Sequence, residues 1–212
     1  YDYELLGYIT PKKMGQAYHC PVFNGLSKQT TSEQLMDLGT QLNIHGIVPM
    51  FHVVGVTPEA ADVHTAFLGR KDPPVVTITN EDLAQARAEI SAGTGKADFC
   101  ILGCPHLTIN QVGSIAKMLD GQQLAGQLYI FTSTSTKELA QRMGYLDIIH
   151  KAGGEIVINS CVDQPCWSHL YGMSGVTESP KCAYYTKRWN MTFTVKSIPA
   201  CIQSVLKGEI VS

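Results

Sequence analysis

The segment Ala97-Asp98-Phe99-Cys100-Ile101-Leu102-Gly103-Cys104-Pro105-His106-Leu107-Thr108 sets a thiol and an imidazole directly behind an apolar run that stops at a glycine. The run reads as a buried strand and Thr108 as the opening of a helix. Cys104 and His106 then sit on a loop at a strand's carboxyl end, where open α/β sheets keep their ligands. A second thiol has the same setting: residues 156–158 read as a strand ending in Asn159-Ser160-Cys161. If the strands are parallel, Cys104 and Cys161 meet on one rim although they lie 57 positions apart.

Three chemistries fit such a pair, and the residues alone leave all three open. Thiolates suit a soft metal or an iron–sulfur cluster. A structural zinc site usually shows a tight C-x-x-C spacing, which is missing here. A nucleophilic Cys104 needs a base, and His106 is two positions away. Cys166 follows Cys161 closely enough to be a further ligand candidate. Cys100, inside a strand, and Cys201, inside a helical apolar pattern, read as small buried hydrophobes. Cys20 and Cys182 have no clear placement.

Other polar groups are less pointed. His52 lies inside the apolar run 47–54, while His45 and His150 fall near helix ends and His64 on a helix. Thr57-Pro58-Glu59 reads as a helix cap whose amides could hold a substrate carboxylate. The cluster Thr132-Ser133-Thr134-Ser135-Thr136 could do likewise. Lys181, in Ser179-Pro180-Lys181 close to Tyr184 and Tyr185, could neutralise a carboxylate.

The elements that must position these residues alternate. Strands are predicted at 47–54, 75–78, 97–102, 128–131, 156–158 and 192–195. Helices are predicted from about 31 to 45, 58 to 68, 80 to 91, 109 to 119, 136 to 143, 145 to 151 and 198 to 206. Thr57 and Thr108 are expected N-caps, with Gln111 completing a capping box, and the run Thr30-Thr31-Ser32-Glu33 caps the first helix. Buried strands alternating with helices imply a mainly parallel sheet in a three-layer α/β/α fold. Three stretches follow: a lead-in segment and helix (1–45), a main α/β core (46–160), and a loop-rich segment with a terminal strand and helix (161–212).

Composition adds boundaries. A chain of 212 residues with 44% hydrophobic content can bury one good-sized domain or two small ones. A net charge of −2 without basic clusters gives no reason to expect nucleic acid or an anionic membrane as partner. No apolar stretch is long enough to span a bilayer. Seven irregularly spaced cysteines without a signal peptide favour free thiols or a metal centre in a reducing, cytoplasmic setting. The opening Tyr1-Asp2-Tyr3 is read as that of a clipped product or a piece of something larger.

The strings YELLGY (3–8), GIVPMFHVVGVTPEA (46–60) and ADFCILGCPHLTINQV (97–112), with Asn159-Ser160-Cys161 and the segment 179–185, resemble the catalytic region of the aconitase X family. The resemblance runs over nearly the whole chain in family order and implies its C-terminal half. It also implies a hydro-lyase that dehydrates a small hydroxy acid, cis-3-hydroxy-L-proline or mevalonate 5-phosphate, at an iron–sulfur or mononuclear iron centre. The low charged content, 16%, leans toward a mesophile and so toward cis-3-hydroxy-L-proline. The implied metal ligands are Cys104 and Cys161, with a third cysteine expected upstream of this chain. The implied partners are the upstream half and a small swivelling domain or subunit that supplies a base. His106 and Lys181 are the candidate catalytic residues; Thr57, Thr108 and Ser179 are the candidate substrate contacts.

The chain departs from the family at three places. Thr108 stands where a serine is common, Val162-Asp163-Gln164-Pro165-Cys166-Trp167 follows Cys161 where the family usually runs into hydrophobic residues, and Cys182 follows Lys181. Two other classes compete: a cysteine-dependent hydrolase or transferase using Cys104 and His106, and a truncated module that binds a partner without catalysis.

Overall fold

A computed structural model describes residues 2–15, 20–71, 73–93 and 95–211. The chain forms two units that divide between Ala86 and Arg87.

In residues 2–86, helix α1 (Asp2–Met14) packs on α2 (Ser32–Gln41). Within the expected capping run 30–33, Thr31 is the N-cap of α2, in a capping box with Gln34. Strands β1 (Val22–Phe23) and β2 (His52–Val53) make a two-stranded parallel sheet. Leu38, Leu42, Val48 and Val53 form the core of this unit. The strand expected over 47–54 shrinks to two residues because Ile47 and Met50 face solvent and Pro49 lacks a ladder donor. No strand forms at 75–78; Val75 is 85% exposed. Helix α3 (Val63–Ala66) is capped by Asp62, so Thr57 is not the N-cap expected. The boundary between the units falls in α4 (Asn80–Ile90).

From Arg87 onward the chain builds a five-stranded, all-parallel sheet of β3 (Phe99–Leu102), β4 (Gln127–Thr132), β5 (Gly154–Ile158), β6 (Ser174–Thr177) and β7 (Thr192–Val195). Their order is β5-β4-β3-β6-β7. Helix α5 (Ile109–Leu119) links β3 to β4, α6 (Thr134–Arg142) and α7 (Tyr145–Ala152) link β4 to β5, and α8 (Pro180–Thr186) links β6 to β7. Helix α9 (Ile198–Lys207) closes the chain. Cys100, Leu102, Leu128, Ile130 and Ile156 face one side, against Ile115, Ile149 and Ile202 of α5, α7 and α9. Phe99 and Phe193 meet edge-on on the other side, and there Trp167, from a 3-10 turn (Pro165–Leu170), packs on Tyr129 and Phe131. This is the α/β/α layering the sequence implies.

Strand β6 and helix α8 occupy a stretch expected to be loop. Ser174-Gly175-Val176-Thr177 lacks an apolar run, yet all four residues are buried. Gly175 pairs with Phe99, and a Cβ there would lie 2.5 Å from the Phe99 ring. The glycine that conceals the strand in sequence is what lets the ring lie over it. Among the described residues no helix is long and apolar enough to cross a membrane.

Candidate functional site

The chain runs β3, β4, β5 outward in one direction, then returns to start β6 on the other side of β3. That reversal makes the carboxyl ends of β3 and β6 the switch point, where ligands of open α/β sheets bind. β3 pairs with β4 through Leu102 but with β6 only through Cys100. The loops Gly103–Cys104 and Glu178–Ser179 face each other across the gap this leaves.

Glu178 bridges the gap. Its Oε1 accepts hydrogen bonds from the amides of Gly103 at 2.7 Å and Cys104 at 3.2 Å, and its Oε2 accepts one from Thr177 Oγ1 at 3.3 Å. Glu178 is 3% exposed. The turn needs Gly103, whose φ is +114°: a Cβ there would run into the Phe131 carbonyl oxygen.

Cys104 is half-buried. Burial pushes its thiol up to about 11; the Ser179 hydroxyl and the Lys181 cation pull it back, while Glu178 and Cys161 push it further. Its sulfur thus has Ser179, Lys181, Glu178 and Cys161 in its electrostatic neighbourhood. Cys161 is exposed, and its sulfur accepts from the Asp163 amide at 3.4 Å. The two loops are tied directly by His106, whose Nε2 lies 2.9 Å from the Ser160 carbonyl oxygen. A ring nitrogen bonded to a carbonyl must carry the proton. An open cleft of about 720 Å³ runs beside them, lined by His106, Asn159, Ser160, Cys161, Gln164, Pro165 and Cys166.

Cys104, His106, Cys161, Ser179 and Lys181 therefore gather at one sheet edge. Ser179 is fully buried and caps α8, accepting from the Cys182 amide at 3.2 Å, while Lys181 is half-buried. Thr108 caps α5 in the capping box with Gln111 that the sequence predicts. Thr57 belongs to the 2–86 unit, its hydroxyl bonded within its own turn to the Val53 carbonyl at 3.2 Å. The 132–136 cluster is structural: Thr132 Oγ1 donates to the Leu107 carbonyl at 2.6 Å, and Ser133 caps α6. Cys182 is buried beside the pair, its thiol pushed up by burial first and then by Cys104 and Glu178.

Glu178 is the residue sequence reading missed. Its signal was an acidic residue directly before the Ser-Pro start of a helix, hidden because the preceding strand has no apolar run. Among the described residues no group of three or more His, Cys, Asp or Glu side chains is arranged to hold a metal. Cys104 and Cys161 fit an iron or iron–sulfur centre in donor chemistry, as two thiols on loops at the carboxyl edge of the sheet, but they supply only part of a ligand set.

Comparison with known proteins places these features. Residues 97–207 match the model of the aconitase X third domain, and residues 1–88 match that of the second domain. The phosphomevalonate dehydratase large subunit of Methanothermobacter thermautotrophicus is 35% identical over 185 residues, 87% of this chain and 44% of that protein. The cis-3-hydroxy-L-proline dehydratase of Pseudomonas aeruginosa is 32% identical over 152 residues, 68% of this chain and 26% of that protein. The crystal structure of Thermococcus kodakaraensis aconitase X in its holo-form superposes with a TM-score of 0.83 at 28% identity, covering 96% of this chain and 51% of that one. The chain spans about half the length of the large-subunit relatives it matches. With family models matched over both units, the chain belongs to the aconitase X family.

Proposed function

We propose that this chain is part of a hydro-lyase that eliminates water from a small hydroxy acid, with Cys104 and Cys161 holding an iron–sulfur or mononuclear iron centre. The observation that carries the reading is that the loops bearing Cys104 and Cys161, distant in sequence, meet at the carboxyl edge of the sheet, where His106 of the first bonds the Ser160 carbonyl of the second at 2.9 Å. The third ligand comes from the rest of the catalytic region, and a small swivelling domain or subunit completes the site. A reducing cytoplasm suits free thiols of this kind.

When bound, the centre supplies Lewis acidity for loss of the substrate hydroxyl. The chain's own residues do the remaining work. Glu178 fixes the Cys104 loop through two amides, and Ser179 holds the Cys104 thiol. His106, tied through Nε2 to the Ser160 carbonyl, offers Nδ1 as the ring nitrogen that takes or returns a proton beside the cleft. Lys181 offsets the negative charge of a substrate carboxylate. Thr57 and Thr108 stay as candidate substrate contacts.

A cysteine hydrolase fits less well, because a thiol held near 11 is protonated at neutral pH. Composition favours cis-3-hydroxy-L-proline as substrate. Mevalonate 5-phosphate is the second reading, supported by the 35% identity to a phosphomevalonate dehydratase. The test is to incubate the iron-loaded, assembled protein with each compound and follow the dehydrated product. Turnover of one, lost on chelation and restored by iron, is expected; turnover of neither overturns the proposal.

A further inference from the structure

Asp163, two residues after Cys161, is held by side chains from far along the chain. Both Asp163 carboxylate oxygens face the fork of Arg188, with Nε–Oδ1 3.0 Å and Nη2–Oδ2 2.6 Å. The Trp189 indole donates to the same Oδ1 at 2.9 Å. Trp189 is itself braced, stacked on Tyr171 at 6.0 Å with the Arg188 guanidinium 5.2 Å from its ring centroid. Arg188 and Trp189 lie on a 3-10 turn (Lys187–Trp189) directly behind α8. Helix α8 thus starts beside Cys104, at its N-cap Ser179, and the turn directly behind it grips the Cys161 loop.

We infer that Asp163, clamped by Arg188 and Trp189, is a positioning residue that aims its own backbone amide at the Cys161 sulfur. The inference rests on Cys161 being a metal ligand. The Arg188 side chain is 57% exposed, so the pair adds little stability as a charge contact. What it contributes is direction: a bidentate guanidinium fixes the plane of the carboxylate, which a lysine ammonium does not. The fixed loop keeps the Asp163 amide 3.4 Å from Cys161 Sγ. Hydrogen bonds to ligating sulfur tune the potential of iron–sulfur centres, and outer partners of ligands set metal affinity.

The test compares wild type with Asp163→Asn, Arg188→Leu and Arg188→Lys in the assembled protein. Three quantities are read: amide exchange at residue 163, affinity for ferrous iron against a competing chelator, and midpoint potential. In Asp163→Asn and Arg188→Leu, exchange should quicken about tenfold, iron affinity should fall roughly 10- to 100-fold, and the potential should drop. Arg188→Lys should recover only part of each. Iron-loaded wild type and variants that agree in all three overturn the clamp. Faster exchange with unchanged affinity and potential also overturns it, because the contact is then only structural. A wild type that takes up no iron instead defeats the function proposed above, and the link between clamp and ligand with it.

Discussion

Glu178 Oε1 lies 3.2 Å from the amide nitrogen of Cys104, across 74 positions of sequence. This contact joins the two loops that the reversal of strand order sets side by side, and it fixes the backbone from which the Cys104 thiol projects. Removing it tests whether the loop depends on a buried carboxylate. Glu178→Ala leaves two amides without their acceptor and should cost about 2–5 kcal/mol in urea denaturation. Glu178→Gln keeps an accepting oxygen and should cost less than half as much. Equal stability of Glu178→Ala and wild type would contradict the bridging role.

The turn itself gives a second prediction. Gly103→Ala forces a side chain into a positive φ and against the backbone of Phe131. A loss of about 2 kcal/mol or more is expected, together with a shift of the Cys104 and His106 resonances. A silent substitution would mean that the loop has another conformation.

Alkylation of the iron-free protein reads the Cys104 thiol. With its folded value near 11, modification by iodoacetamide, mapped by mass spectrometry, should quicken about tenfold per pH unit from 8 to 10. Complete modification of Cys104 at pH 7.5 within the time Cys161 takes would revive the nucleophile reading.

The same burial links pH to stability. The folded values of Cys100, Cys104 and Cys182 are raised above the ordinary 9.0, so the native state keeps protons that the unfolded chain has lost. Their stabilising contribution is present below about 9 and is lost as pH rises past it. The melting temperature of the iron-free protein should therefore fall between pH 9 and 11. Cys182→Ala should flatten that fall, and a pH-independent melting temperature would contradict the burial.

What the sequence could show follows from which signals are local. The caps at Thr31 and Thr108 are set by neighbouring residues and were legible, as were β3, β4 and the termination of β5 before Cys161. β6 was not, because its small residues answer to the Phe99 ring, 76 positions away. Glu178 was concealed with it. Residues 47–54 and 75–78 misled in the opposite sense: Ile47, Met50 and Val75 face outward, and among the described residues only His52–Val53 of the two runs finds a sheet neighbour. The gathering of Cys104 and Cys161 needed only the parallel rule, whereas the placement of Lys181 and Ser179 needed the strand reversal, which no local pattern announces.

Iron and acid-labile sulfide counted in the assembled protein, beside Cys104→Ala and Cys161→Ala, test the central claim most directly. Each variant should fold, keep its partners and lose most of its iron. Full iron retention in both would contradict the assignment of these two thiols to the centre.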